Sequence, residues 1–346
     1  MKKYFFFFVL TLFIYTSSIL FSQTEIPRQT DFTICEQFLE ISKKFNKYKV
    51  ILKPDKDSSE YWAGAPSVVK DDNGIFWLAA RMRSPLYPRG LRGYEIRILK
   101  SHDGENFEYY HSIFKDDVPI KGFERPSLLI DPITKKFKLY VCGPWENDNW
   151  SILKFNDTDD LKSIDLKSIH PVIAPKNKNY EREIIVREYK DPFIIYVNKK
   201  FHCYVTGYVR ENERIFHFES LDGEIWKPSG NEKEPVMELS KWHNFFVRPS
   251  SVLTLGIGYL FIYEGSNINW YDPVYNIATG IGFTFDLHKI IDLTETSPLI
   301  TNFSNGDFRT FRYSHWLWEK NEIWIYAEVS NTNNTNEIRL YKIQLN

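Results

Sequence analysis

The sequence predicts an all-β protein, a five-bladed β-propeller formed by a single domain, and two features of the chain indicate this fold. The first is an X-Pro-(Ser/Phe) phrase that returns at nearly even intervals, each time followed by an apolar run, a polar turn and an aromatic-rich strand. The phrase occurs around Pro66, Pro126, Pro192 and Pro249, and the strand pattern continues without a proline around Arg312. Because a repeated strand unit buries its apolar face only against its neighbours, five such units predict a ring of stacked sheets.

The second feature is a set of stretches that align with one another without a gap. They read GIFWLAAR, KFKLYVCG, KFHCYVTG, GYLFIYEG and EIWIYAEV, over 74–81, 136–143, 200–207, 258–265 and 322–329. Large apolar residues alternate with other residues, and a turn-rich segment precedes each stretch, which predicts the second strand of every unit. Aromatic residues form 17% of the chain, and such residues both favour strands and fill the space between stacked sheets.

Two units share a further phrase, SHDGENF over 101–107 and SLDGEIW over 220–226. The Asp-Gly pair supplies a tight turn, and the aromatic residue that follows is expected to pack back onto the sheet. We therefore interpret Asp103 and Asp222 as structural residues and not as catalytic candidates.

The chain begins with a basic start and an apolar run, which predicts a secretory signal peptide over 1–22 and a secreted or periplasmic protein. A retained membrane anchor is the alternative, because the run approaches the length of a spanning helix. After signal removal no stable membrane insertion is expected. Residues 23–60 are predicted to be a connector whose amphipathic part, EQFLEISKKFNKYKVILK, forms either a helix or the closing strand of the ring. The propeller domain is predicted over 61–346.

Lys and Arg number 44 against 45 Asp and Glu, so the net charge of −1 gives no reason to expect a nucleic-acid partner. Of the three cysteines, Cys35, Cys142 and Cys203, the last two lie in apolar strand patterns and are predicted to be buried thiols. No metal-ligand spacing is present and the eight histidines are scattered, so no cofactor or metal is predicted. A structural cation in the channel remains open.

The innermost strands of a propeller line its channel, so equivalent residues of successive units are expected to meet. The residues before the prolines are Ala65, Arg125, Asp191 and Arg248, with Arg312 or Phe311 in the fifth unit, and one step earlier stand Gly64, Glu124, Lys190 and Val247. The seventh residues of the aligned second strands are Ala80, Cys142, Thr206, Glu264 and Glu328. Such charges are costly to bury unless they pair or bind a ligand. They therefore form either a structural network between units, in which Arg125, Arg248 and Arg312 pair with Asp191, Glu124 and Glu264, or a substrate pocket.

These units resemble the five-bladed propeller glycosidases of glycoside hydrolase families 43, 32 and 130. The resemblance rests on KDPFIIYVNKKFHCYVTGY, ERPSLLIDPITKKFKLYVCG and GYLFIYEGSN followed by YNIATGIGFTFDLHKIIDLTETSPLI, and it covers nearly all of 61–345. The fourth unit is most similar to the mannoside phosphorylase and mannosidase family. Two departures stand out. Ala65 occupies the place where several of these families have a catalytic Asp, and KDPF replaces the mannoside family's EDPR.

Glycoside hydrolysis by the usual route requires two carboxyl groups, one protonated and one ionised. Asp191 matches the family's acidic residue and is predicted to be the base. Glu264 is predicted to be the acid, and Glu124 competes for the second role. The resemblance implies an inverting reaction.

Several cationic and aromatic residues are predicted to bind the substrate. Guanidinium groups suit carboxylate, sulfate or phosphate, so an acidic sugar or a phosphate co-substrate is expected. The predicted substrate-binding residues are Arg81, Arg125, Arg248, Arg312, Tyr313, His315 and Trp270. Structural roles compete for three of them: strand-end solvation for Arg81, a structural hydrogen bond for His315 and loop anchoring for Trp270.

The leading prediction is a glycoside hydrolase acting on an oligosaccharide or polysaccharide. A non-catalytic carbohydrate-binding propeller is the alternative suggested by Ala65. A polysaccharide lyase, with Tyr313 or His315 as its base, and a phosphorylase that needs inorganic phosphate also remain open.

Overall fold

The computed structural model describes residues 41–175, 186–209, 212–230 and 234–344, and over these ranges the protein is almost entirely β-sheet. Residues Ser42–Gln344 form one compact unit. The helical segments are single 3-10 turns at Ile41–Lys44, Lys115–Asp117, Glu146–Asp148, Leu161–Ser163 and Leu166–Ser168. The predicted signal peptide, residues 23–40 of the predicted connector and Cys35 lie outside the described residues. Within the described ranges, no helix is both long and apolar enough to cross a bilayer.

The strands follow one another as antiparallel meanders, which places sequence neighbours side by side in each sheet. A short strand β1 (Lys49–Leu52) precedes the first meander, β2 (Trp62–Lys70), β3 (Phe76–Arg83), β4 (Gly93–Ser101) and β5 (Glu108–Phe114). The next sheet contains β6 (Ser127–Ile130), β7 (Phe137–Pro144), β8 (Trp150–Lys154) and β9 (His170–Ile173).

Two further four-stranded sheets have the same organisation. One contains β10 (Tyr189–Val197), β11 (Lys200–Val209), β12 (Asn212–Ser220) and β13 (Lys227–Pro228). The other contains β14 (Phe246–Thr254), β15 (Tyr259–Ser266), β16 (Ala278–Thr284) and β17 (Ile291–Asp292). The all-β prediction is therefore confirmed.

The last three strands join the first meander in an eight-stranded sheet. They are β18 (Phe311–Glu319), β19 (Glu322–Ser330) and β20 (Asn336–Gln344), and β1 pairs antiparallel with the free edge of β20. A single parallel pair, Trp62 with Asn336, connects β20 to β2. Of the two alternatives for the connector, the strand is correct over Lys49–Leu52.

The first strands of the sheets contact one another in a closed cycle, β2 with β6, β6 with β10, β10 with β14, β14 with β18 and β18 with β2. Side chains and backbone join neighbouring strands of this cycle. The Leu128 amide donates to Ser67 Oγ at 2.9 Å, and the Trp316 amide donates to Ser251 Oγ at 3.1 Å. The cycle places the beginnings of these strands around a common centre.

A β-bulge recurs near the beginning of the first strands. The pairing register shifts between Gly64 and Ser67, and equivalent shifts occur in β10, β14 and β18. Ala65, Asp191 and Tyr313 adopt left-handed φ values of 51°, 54° and 51° at these bulges. That conformation costs a side-chain-bearing residue roughly 1–2 kcal/mol, so the surrounding structure must hold it, as often occurs at functional sites.

The two Asp-Gly phrases form turns that contact a tyrosine of another unit, Tyr326 for the first turn and Tyr140 for the second. Asp103 Oδ1 accepts the amides of Glu105 and Asn106 at 2.8 and 2.7 Å, and Gly104 has a φ of 70°. The Tyr326 hydroxyl donates to the Gly104 carbonyl at 2.7 Å. Their predicted structural role is therefore confirmed.

Candidate active site

The strand pairing shows which residues are equivalent around the centre. In four units a residue of the first strand pairs with a residue of the second: Gly64 with Arg81, Lys190 with Thr206, Arg248 with Glu264 and Arg312 with Glu328. In the remaining unit, the Glu124 amide donates to the Cys142 carbonyl at the matching place. The next residues along the chain are Ala65, Arg125, Asp191, Pro249 and Tyr313. These two sets form the inner rows of the candidate site.

The predicted alignment was wrong by one residue in three units. Arg81, not Ala80, takes the seventh place in the first unit. In the fourth unit the residue equivalent to Asp191 is Pro249, and not Arg248 as predicted. In the fifth unit it is Tyr313, and not Arg312 or Phe311. In the fourth unit the proline directly follows the paired residue Arg248, whereas in the third unit Asp191 separates Pro192 from the paired residue Lys190, so counting from the proline displaces the fourth unit by one residue.

Most of the predicted residues come together as a buried charged cluster at this centre. The exposed fraction is 3% for Asp191 and 0% for Glu264, and Arg81, Arg125, Arg248, Arg312 and Tyr313 are buried as well. Charges so far from water require compensation by one another or by a ligand.

Tyr313 joins the two carboxyl groups predicted to act together. Its amide donates to Glu264 Oε2 at 2.5 Å, and its hydroxyl lies 3.3 Å from Asp191 Oδ1. The left-handed backbone at Tyr313 thus supports a contact to each acid from one residue. The other oxygen of Glu264, Oε1, is buried and has no hydrogen-bond partner among the described residues.

A second part of the cluster is a closed ion network. Arg81 bridges Glu124 and Glu328, the latter at 3.1 Å, and Arg312 donates to Glu328 Oε1 at 2.8 Å. Glu328 also accepts the Ala65 amide and the Asn336 side chain, at 2.9 and 2.7 Å. A structural network is therefore present, but its pairs differ from the predicted ones: Arg312 binds Glu328 and not one of the predicted acids, and the partner of Glu124 is Arg81. Arg81 is buried, so its predicted solvation at a strand end is wrong.

Arg125 and Arg248 complete the cationic side of the cluster. Arg125 donates to the carbonyls of Pro249 and Ser250 at 3.0 and 2.5 Å, and its buried Nε has no partner among the described residues. Arg248 forms an ion pair with Glu213 of β12. The sequence reasoning missed Glu213, because it lies on a third strand outside the compared positions.

The acids of the cluster differ in their pKa values. Burial raises the pKa of Glu264 to about 7, although Arg248 and the Tyr313 amide oppose the shift. Burial and repulsion by Glu124 raise the pKa of Asp191. Burial acts in the same direction on Glu124, but Arg81 and its neighbouring arginines hold the pKa of Glu124 below its ordinary value.

The solvent side of the cluster is marked by its less buried members. The Glu124 side chain is 13% exposed, Glu213 is 14% exposed and Lys190 is 22% exposed, whereas Glu328 is fully buried. A ligand that enters from this side meets Glu124, Glu213 and Lys190 first.

Two predicted residues lie elsewhere. His315 Nδ1 lies 3.5 Å from the Val68 amide, and burial with Arg125 lowers the pKa of His315 to about 3, so this ring is a neutral acceptor between strands. Trp270 stacks on Trp242 and lines a surface cleft of about 640 Å³ with Tyr271, Phe303 and Arg309. The cleft lining includes none of the charged cluster. Cys142 and Cys203 are buried free thiols, as predicted.

No protein-family profile matches the chain, and no curated protein matches its sequence. Solved structures do match its fold. One is a glycoside hydrolase with a TM-score of 0.68 and 13% identity, over an alignment that covers 92% of this chain and 96% of that one. Another is the β-1,2-mannobiose phosphorylase from Listeria innocua, with a TM-score of 0.62 and 13% identity over 85% of this chain and 94% of that one. A third is a thermostable family-43 glycoside hydrolase, with a TM-score of 0.58 and 13% identity over 84% of this chain and 91% of that one. The predicted resemblance to propeller glycosidases is therefore confirmed at the level of fold.

Proposed function

We propose that the chain is a glycoside hydrolase with a five-bladed propeller, and that the charged cluster is its active site. The lone Trp62–Asn336 pair divides the eight-stranded sheet into two units of four strands, β2–β5 and β18–β20 with β1. With the three four-stranded sheets, this makes five units of four strands. The cycle of first strands has the same number of members. The likeness of fold to named glycoside hydrolases supports the reaction class.

Glu264 is the proposed general acid, as the sequence predicted. Its pKa of about 7 keeps a substantial protonated fraction at neutral pH, which a proton donor to the leaving oxygen requires. This carboxyl group is the single observation on which the proposal chiefly rests. Its Oε1 is the oxygen left without a partner.

Glu124 is the proposed base. The sequence favoured Asp191, but the raised pKa of Asp191 opposes the ionised state that a base needs, whereas Arg81 keeps Glu124 ionised. In the proposed inverting reaction Glu124 removes a proton from water, the oxygen attacks the anomeric carbon, and the glycosidic C–O bond breaks as Glu264 protonates the departing oxygen. Solvent exchange then restores both protonation states. Asp191 hydrogen-bonds and orients the substrate.

An acidic sugar is the proposed substrate class. Arg81, Arg248 and Arg312 form ion pairs with Glu124, Glu213 and Glu328, whereas Arg125 donates to backbone carbonyls and has no ion pair among the described residues. A buried guanidinium without an anionic partner favours a carboxylate or sulfate as its ligand and disfavours a cation. The chain is further proposed to act in a secreted or periplasmic setting, on the strength of its first 22 residues.

The test compares the purified protein with Glu264→Gln, Glu124→Gln and Asp191→Asn on aryl glycosides, including glucuronides and galacturonides, and on acidic oligosaccharides. Loss of a general acid or base typically lowers the rate by about 10²–10⁴, with a smaller loss for Asp191→Asn. Nuclear magnetic resonance of the first-formed anomer checks inversion. Glu337→Gln is the matched control, because Glu337 is a buried acid paired with Arg339 on β20.

Equal turnover by the wild type and the Glu264→Gln and Glu124→Gln variants contradicts this site. Saturable binding without turnover favours instead the carbohydrate-binding alternative, for which Ala65 in place of an acid is the specific observation. Strict dependence on inorganic phosphate identifies a phosphorylase, and an unsaturated ultraviolet-absorbing product identifies a lyase.

A further inference from the structure

Two histidines and a glutamate lie together on one face of the β10–β13 sheet. His202 of β11 is directly opposite Glu219 of β12, and His217 precedes Glu219 by two residues on the same strand, so all three share a face. His202 Nδ1 is 3.1 Å from His217 Nε2 and 3.8 Å from Glu219 Oε1. The three potential ligand atoms all lie within 4.8 Å of one another.

The surroundings fix the orientation of two of these ligands, His217 and Glu219. His217 Nδ1 lies 3.4 Å from Nδ1 of His288, which directs the other nitrogen of His217, Nε2, to the cluster. Lys200 binds Glu219 Oε2 at 3.0 Å, whereas Oε1 accepts the Ser229 hydroxyl at 3.4 Å and lies beside the histidines. A partner on the far nitrogen of a histidine is what holds metal-ligating imidazoles in place.

The hydrogen bond between the two rings does not satisfy every polar atom of the group. His202 and His217 are 4% and 3% exposed, and the buried Nε2 of His202 has no hydrogen-bond partner among the described residues.

We propose that His202 Nδ1, His217 Nε2 and Glu219 Oε1 form a site for a divalent transition-metal ion, with Zn²⁺ the best fit. Zn²⁺ takes imidazole nitrogen at about 2.0–2.1 Å in a tetrahedron, which sets ligand atoms about 3.3 Å apart, near the 3.1 and 3.8 Å found here. Glu219 is the most exposed of the three, and solvent reaches the site at its side. Water supplies the fourth ligand, and the ion cross-links β11 to β12 outside the charged cluster.

The experiment uses the tag-free full chain, stripped with a chelator and titrated with Zn²⁺ by calorimetry and with Co²⁺ by visible absorption. One ion per chain and the strong visible bands of tetrahedral Co²⁺ are expected. His217→Gln and Glu219→Gln each weaken Zn²⁺ binding by at least about tenfold, since even indirect disturbance of a metal ligand costs 10–100-fold.

His111→Gln is the control, because His111 is a half-buried histidine on β5, in a different sheet. Circular dichroism establishes that each variant is folded, and Glu219→Gln is the variant least able to disturb the core. The proposal is overturned if the wild type shows no saturable binding, or if His217→Gln and Glu219→Gln bind Zn²⁺ as tightly as the wild type. Both readouts are independent of glycosidase activity.

Discussion

At the residue scale, the pKa values of two acids of the cluster are shifted in opposite directions by their surroundings. Glu264 receives a backbone amide and has one unpaired oxygen, so the cost of burying its charge prevails and its pKa rises to about 7. Glu124 is bound by Arg81, so the neighbouring cation prevails over burial and its pKa falls. Environments that separate the pKa values of two carboxyl groups are the arrangement that acid and base catalysis requires.

The pH dependence of activity follows from these shifts. The rate is expected to fall as the pH rises above about 7, where Glu264 loses its proton. It is expected to persist below pH 4.5, the ordinary pKa of a glutamate, because the pKa of Glu124 is lowered. Glu264→Gln removes the alkaline limb along with most of the rate. The measurement is kcat/KM against pH on an unactivated glycoside, whose departing oxygen needs a proton. An unchanged alkaline limb in the variant assigns that ionisation to another group.

The same shift makes a prediction about stability. The folded state holds the Glu264 proton up to about pH 7, whereas the unfolded chain releases it near pH 4.5. The stabilisation of the folded state by this bound proton is therefore complete below pH 4.5 and is lost as the pH rises through 7. The wild type is expected to lose about 3 kcal/mol over this range relative to Glu264→Gln. Urea unfolding of both proteins at a series of pH values measures the difference, and parallel curves contradict it.

At the element scale, tyrosines on second strands hold turns of the adjacent sheets. Tyr140, Tyr204 and Tyr326 occupy equivalent places, and their hydroxyls donate to the carbonyls of Gly223, Leu287 and Gly104. In the third of these turns Leu287 stands where the other two have Gly104 and Gly223, and its own φ is 65°. Its strain of roughly 1–2 kcal/mol is outweighed by burial of its side chain, worth about 1.5–3 kcal/mol.

Tyr326→Phe tests this docking. The substitution removes the donor to a buried carbonyl and is expected to lower the free energy of unfolding by about 1–3 kcal/mol. Tyr109→Phe is the matched control, because Tyr109 is 63% exposed and loses no buried contact. Chemical denaturation measures both changes, and equal effects of the two substitutions contradict the docking role.

The sequence predicted elements better than registers. The proline phrase and the apolar alternation located the first and second strands, because both depend on local residue preferences. The bulge was not visible in the sequence, since it adds a residue without any marker, and the predicted inner column was therefore displaced at Arg248 and Arg312. Glu213 was missed for a related reason: its contact with Arg248 depends on strand pairing and not on chain spacing.

At the scale of the whole molecule, several contacts join the last strands to the first. The Val68 amide faces His315 Nδ1 at 3.5 Å, and Trp62 pairs with Asn336. Glu328 of β19 binds Arg81 of β3 and the Ala65 amide of β2. This closure of β18–β20 onto β2 and β3 joins strands from the two ends of the unit, so damage here is expected to affect the whole of Ser42–Gln344.

Glu328→Gln tests whether this closure stabilises the protein as a whole. The substitution leaves the buried Arg81 and Arg312 without their shared anion, and breaking a buried ion pair from one side costs about 3–5 kcal/mol. Asp148→Asn is the control, because Asp148 forms an ion pair with Lys121 in which both side chains are more than half exposed, and such pairs contribute at most about 1 kcal/mol. We expect urea unfolding of Glu328→Gln to shift as a single transition, whether followed by circular dichroism or by tryptophan fluorescence. A loss no greater than that of Asp148→Asn contradicts the role of Glu328 in joining the last strands to the first, and two separate transitions contradict a single cooperative unit.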